Sequence, residues 1–278
     1  MFARVAAFEI RYLLKNPLLW LTAAAVFFIP FASLALGFDL EEDMRVFKNS
    51  PYEVISKYRI VSCLFMFATT VFVSNIVLRD DETEFGPILR STGVGKFDYL
   101  FGRFAGSMAV VAGCLFLVTP GIWLGSLMPW VDPGTVGPNR LGDHLYAYFL
   151  IALPNVIITA SIFFALATIS RSMMGTYLGL IVFLGLYFSL LSAFDSSPEL
   201  ISWIAIAEPF SARAFDDAVR YWTTVERNTL LPDFSGTLLF NRLVWLGISG
   251  AFLALAYLGF NFTRQGGSRR RRKREKLE

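Results

Sequence analysis

The sequence predicts an all-α integral membrane protein with six transmembrane helices, an N-terminal interfacial helix and a charged cytoplasmic segment between spans two and three. Two observations carry this. Of the 278 residues, 55% are hydrophobic and only 17% are charged, against about 25% charged residues in soluble domains. The charges are also clustered, leaving apolar runs that approach the roughly 20 residues a helix needs to cross a bilayer. A chain in lipid must satisfy its own backbone hydrogen bonds, so such runs are helices.

Residues 2–16 mix Phe2, Val5, Phe8, Ile10 and Leu13 with Arg4, Glu9, Arg11 and Lys15. That pattern predicts a helix lying in the membrane interface, with Arg4, Arg11 and Lys15 toward lipid phosphates. Pro17 suits the first position of a new helix, and the first span is read as 17–38. An acidic loop leads to about Ser56, and the second span covers 59–78. After a charged block comes the third span, 104–130, with Pro120 as a kink. The fourth and fifth spans, 144–169 and 173–194, are joined by a tight turn at Arg171.

The stretch from Asp195 to Thr237 is too polar to cross. Within it, Pro209–Val225 reads as one amphipathic helix, with Phe215, Ala218, Val219, Trp222 and Val225 on one face. Arg213/Asp217 and Asp216/Arg220 are spaced as i,i+4 pairs on the other. The sixth span is 238–262. The chain thus divides into a transmembrane domain, 1–264, and a basic tail, 265–278. Most of the 25 Lys and Arg residues fall on the side that holds both ends, which places that side in the cytoplasm.

Several function classes are excluded at this level. The single His144 rules out a multi-histidine metal site within the chain,. Cys63 and Cys114 lie in apolar spans, where a free thiol acts as a small hydrophobe. No paired carboxylates or Ser/His pair point to catalysis. The span centres carry no Asp, Glu, Lys or Arg, which argues against proton-coupled or sodium-coupled carriage. Asn75, Asn155 and Thr69–Thr70 are the most polar groups there, read either as interhelical hydrogen bonds or as contacts along a pathway. Glycine pairs at four-residue spacing, Gly102/Gly106, Gly121/Gly125 and Gly175/Gly179, permit close helix approach within the chain or across a dimer. The first apolar run reads as a span and not as a cleavable signal peptide. The basic tail binds anionic lipid headgroups in this reading and, lacking interleaved aromatics, not nucleic acid.

The block from Arg79 to Arg103 is the most informative segment. It opens with Asp81, Glu82 and Glu84, continues with the apolar Phe85, Ile88 and Leu89, then passes Arg90 to a glycine-rich break and a basic return. Exposed apolar residues in a solvated loop imply either a short helix docking into a partner or a loop lying on the membrane. Gly95–Lys96 is not a phosphate loop: Arg90 stands where the first glycine is required and Phe97 where Ser or Thr is required,. Nucleotide binding would have to come from another polypeptide.

The order of elements resembles the type-2 ABC exporter permeases over essentially the whole chain: an amphipathic N-terminal helix, two spans, this block, four further spans. Thr92-Gly-Val-Gly-Lys96 occupies the break and Phe97-Asp-Tyr-Leu-Phe-Gly-Arg-Phe104 the return. Gly93 replaces the common proline, and the usual Gly-Thr-x-Glu run is absent. The wording of the block is closer to the subset related to permease and zinc-aminopeptidase fusions, although no His-Glu-x-x-His occurs here. On that comparison the chain could be the N-terminal half of a longer protein.

The resemblance implies an ATPase-coupling helix formed by Asp81, Glu82, Glu84, Phe85, Ile88, Leu89 and Arg90. It implies a cytosolic ABC ATPase subunit that binds ATP and Mg, with no cofactor in this chain, and a second permease half. It also implies residence in a bacterial inner membrane, and an aromatic and aliphatic pore face would suit a lipid-like or amphipathic substrate. The rival reading is a non-transporting anchor or scaffold for a peptidase or signalling partner.

Overall fold

The computed structural model describes residues 1–37, 45–82, 94–196 and 201–260. Among them there is no strand, and six helical stretches are long and apolar enough to cross a membrane. The protein is built as a multi-pass helical membrane protein.

Helix α1 (Phe2–Leu14) leads into α2 (Pro17–Leu36), and the local chemistry sets the joint. The Asn16 side chain accepts from the Leu18 amide at 3.0 Å, Pro17 takes the first helical position, and Gly37 closes the helix with φ of 71°. That left-handed conformation suits a residue without a Cβ. Pro30 lies inside α2, which continues through it.

Helix α3 runs unbroken from Pro51 to Glu82. It begins eight residues before the predicted span (Pro51 against Arg59) because the charges of its first turns are partnered. Lys57 reaches Glu53 at 2.7 Å and Arg59 reaches Asp216 at 2.8 Å.

The third span is divided into α4 (Lys96–Leu115) and α5 (Val118–Ser126). The break at Phe116–Leu117 is the effect of Pro120, which has no amide to offer the Phe116 carbonyl and whose ring crowds it. The Phe116 carbonyl instead receives the Thr119 amide at 3.1 Å. Pro154 acts in the same way on the fourth span. A π-helical segment, Ala147–Ala152, joins α6 (Leu141–Tyr146) to α7 (Leu153–Ser170) just before that proline,. Arg171, at φ of 48°, turns the chain into α8 (Met173–Ser196).

The predicted single helix over Pro209–Val225 is corrected. The stretch holds α10 (Ala212–Ala218) and α11 (Thr224–Thr229), preceded by α9 (Ile201–Ala207) and followed by α12 (Gly236–Gly259). Phe215 and Val219 are buried, but Val225 is 70% exposed, so the five apolar residues do not share one face. Nor do the i,i+4 pairs form. Asp216 turns to Arg59 and, at 3.9 Å, to Arg213, while Asp217 lies 3.5 Å from the Thr237 hydroxyl. A long-range partner outcompetes the local spacing.

The bundle has two distinct ends. At one, Asn228 grips the Phe47 amide and the Arg45 carbonyl, at 2.8 and 3.0 Å. Asn49 bonds Gly137 and Asn139 there, and Tyr146 bonds the Pro232 carbonyl. At the other lie α1, the end of α3, the start of α4, and Arg171 against Phe260. The fourth span is the most enclosed and α8 the least.

Candidate functional site

Helix α1 packs lengthwise along α4, in the same direction. Met1 stands 4.0 Å from the Asp98 carboxylate, and the Phe2 and Phe97 rings stack at 6.3 Å. A Cβ on Gly102 would meet Phe2 and Val5, and one on Gly106 would fall 2.6 Å from the Ala6 carbonyl oxygen. The Gly121/Gly125 pair receives α2 in the same way, at Phe27 and Phe31. Both glycine pairs therefore serve packing within the chain. Gly179 abuts Leu166 of α7.

Arg4, Arg11 and Lys15 are exposed on α1. Glu9, on the opposite side of that helix, is 1% exposed. Its carboxylate accepts from Arg79 Nη2 at 2.9 Å and Nη1 at 3.3 Å, and Arg103 Nε stands 3.6 Å away. Arg103 also donates to the Ile76 carbonyl at 2.7 Å, and Arg79 lies 3.8 Å over the Tyr12 ring. Burial works against the Arg79 charge, but the hydrogen-bonded Glu9 carboxylate outweighs it, so the guanidinium titrates above its ordinary value,. One side chain of α1 thereby ties the end of α3 to the start of α4, the two helices that bracket the charged block.

This cluster was not predicted, yet the sequence carried a signal. Phe2, Val5, Ala6 and Leu13 lie at i−7, i−4, i−3 and i+4 from Glu9, so the carboxylate sits on the apolar side, away from the three basic residues. A charge on an apolar face requires a partner.

The second cluster forms around Arg242, which is 1% exposed in the first turns of α12. Its Nη1 donates to Asn155 Oδ1 at 2.6 Å, Nη2 to the Pro209 carbonyl at 2.9 Å, and Nε to Asn241 Oδ1 at 2.9 Å. Asn241 Nδ2 donates to the carbonyls of Ala205, Ile206 and Glu208, at 2.8, 3.0 and 2.7 Å. Asn155 Nδ2 donates to Ser62 Oγ at 2.9 Å and to the Phe210 carbonyl at 3.3 Å. The fully buried Glu208 accepts the amides of Phe210 and Ala212. Desolvation raises the Glu208 carboxyl above its ordinary value, although those amides and Arg242 pull the other way.

Through these contacts Asn155 holds the non-helical connector between α9 and α10 against α3, α7 and α12. Irregular buried backbone in a membrane protein needs such donors, because lipid supplies none. Asn75 is half-buried on α3, away from this network, and Thr69 and Thr70 bond back to Phe65 and Met66 of their own helix.

Asp81 and Glu82 fall in the last turn of α3, whereas Glu84, Phe85, Ile88, Leu89 and Arg90 lie outside the described residues. Among the described residues no group of three His, Cys, Asp or Glu could hold a metal. His144 Nε2 accepts the Trp123 indole N–H at 2.8 Å. Compared with known proteins, the chain matches no family model and no curated protein.

Proposed function

We propose that this chain is the transmembrane permease subunit of an ATP-driven exporter of the type-2 ABC kind. A separate cytosolic subunit binds ATP and Mg and grips the segment from Asp81 to Ser91. A second six-helix half completes the path for an amphipathic substrate. What supports this most is the α3 rod. At 32 residues and 1.5 Å per residue it is about 48 Å long, and it enters the charged block without a break. Its far end meets Phe215 through Tyr52, ring centroids 5.5 Å apart, and Asp216 through Arg59. A push on the block would tilt α3, and Glu9 would carry α4 with it, moving the loops at the opposite end.

The test is purification of the tagged protein from its native membrane in mild detergent, with mass spectrometry and an ATPase assay. A stoichiometric nucleotide-binding subunit, lost in Phe85→Asp and Leu89→Asp, is the expected result. ATPase association that survives both changes sinks the docking assignment. A complex holding a peptidase and no ATPase replaces the permease with a scaffold.

A further inference from the structure

A groove opens where α1 gives way to α2 along α4. Its volume is about 360 Å³, within the range of about 300–1,000 Å³ usual for small-molecule sites. Ile10 and Leu14 of α1, Trp20 and Ala23 of α2, Gly113 of α4 and Leu117 of the break that follows it form its walls, which are overwhelmingly apolar.

The groove follows from the glycine stripe. Gly106 brings α1 onto α4, and Gly121 brings α2 onto α5 with a Cβ position only 2.5 Å from the Phe27 carbonyl oxygen. Between these contacts the chain turns at Lys15–Asn16, and Gly113, one heptad beyond Gly106, has no neighbour within 4 Å of where a Cβ would stand. The gap is a consequence of two tight approaches with a joint between them.

Its apolar lining and the charges beside it point to one occupant. Leu19, Trp20 and Ala23 belong to the first two turns of the span that starts at Pro17. The exposed Trp20 donates its indole N–H to the Leu14 carbonyl at 2.9 Å, a position suited to the interfacial aromatic belt. Arg11 and Lys15 are exposed at the end of α1, beside Ile10 and Leu14. Glu9, the only acidic residue of α1, is committed to Arg79 and Arg103 on the far side. The exposed charges at the end of α1 are therefore basic, and each adjoins in the chain a residue of the apolar wall, Ile10 or Leu14.

We propose that this groove binds one phospholipid, an acyl chain lying between Trp20 and Gly113 and its anionic headgroup held by Arg11 and Lys15. The site is independent of the exporter reading and stands or falls without it. The lipid would fill the joint between α1 and α2 and anchor α1 laterally.

The experiment uses the full chain in nanodiscs of phosphatidylcholine with a rising fraction of phosphatidylglycerol whose acyl chains are brominated, a contact quencher of indole. The Trp20 signal is the difference between wild type and Trp20→Phe. Saturable quenching is expected, reached at a lower fraction with brominated phosphatidylglycerol than with brominated phosphatidylcholine. Filling the slot with Gly113→Phe should abolish the saturable part. Arg11→Gln and Lys15→Gln, on exposed side chains that leave the packing untouched, should each reduce the preference about five-fold, as expected for about 1 kcal/mol per basic residue at an anionic surface. Quenching proportional to the brominated fraction and equal for both lipids overturns the proposal. So does saturable quenching that persists in Gly113→Phe, or a preference unchanged when both basic residues are removed.

Discussion

The Glu9 carboxylate receives both terminal nitrogens of Arg79, at 2.9 and 3.3 Å, from a helix that precedes the first span. The pair is nearly dry: the Glu9 side chain is 1% exposed and that of Arg79 15%. Such a pair is weak grounds for stability relative to an apolar replacement of both partners, but removing one partner strands the other charge. Glu9→Ala should therefore cost about 3–5 kcal/mol in reversible unfolding by denaturing detergent. Arg4→Ala, on the exposed side, should stay within about 0.5 kcal/mol of wild type. Equal effects from the two changes would contradict the clamp.

Arg242 presents the same logic with more acceptors. Its loss leaves Asn155 Oδ1 without its 2.6 Å donor and the Pro209 carbonyl without its 2.9 Å donor. Each buried acceptor left unsatisfied costs about 1–3 kcal/mol, so Arg242→Met should destabilise by more than about 2 kcal/mol in the same assay. Arg242→Lys should not restore stability, because a point charge cannot serve Asn155, Asn241 and Pro209 from one plane. Full rescue by lysine would mean that charge alone matters there.

The six spans and the disturbance at Pro120 were legible because hydropathy and the missing amide act locally. The start of α3 was not, because Lys57 and Arg59 look like a span boundary until Glu53 and Asp216 are seen beside them. Arg242 was missed for a related reason. Its partners Pro209 and Asn155 lie 33 and 87 residues away, and no window of sequence joins them. Yet Leu238, Asn241, Arg242, Ser249 and Ala256 are the buried residues of α12, and a spacing of four and seven from Leu238 and Ser249 puts the arginine on that inward face. The amphipathic reading of Pro209–Val225 failed because the long-range Arg59 pair and the cap at Thr223 divide the segment.

Three glycines of one stripe should respond differently to alanine. Replacing glycine within a helix gains up to about 1 kcal/mol from propensity, while overpacking costs about 1–3 kcal/mol. At Gly106 and Gly121 the new Cβ would fall 2.6 and 2.5 Å from backbone oxygens of Ala6 and Phe27, which cannot move without their helices. Both changes should lower thermal stability in detergent. Gly113→Ala meets nothing within 4 Å and should be neutral or stabilising. The same loss at all three positions would remove close packing as their explanation.

The cap of α11 carries a pH signature. Glu226 Oε2 accepts the Thr223 amide at 2.7 Å and the Thr223 hydroxyl at 2.8 Å, and these bonds, the amide first, hold its carboxyl below the ordinary 4.5. A carboxylate whose folded pKa is depressed contributes fully above its unfolded pKa, and the contribution disappears as pH falls through the folded value. Hydrogen-exchange protection across Thr224–Thr229 should therefore be constant at neutral pH and decline only once the pH drops below that of a free glutamate. In Glu226→Gln the protection should be lower at neutral pH and flat across the same window. Because Asn228 of this helix holds Phe47 and Arg45, the acid-induced loosening should extend to the Phe47 amide. A wild-type profile that the glutamine variant reproduces would assign the acid response to other groups.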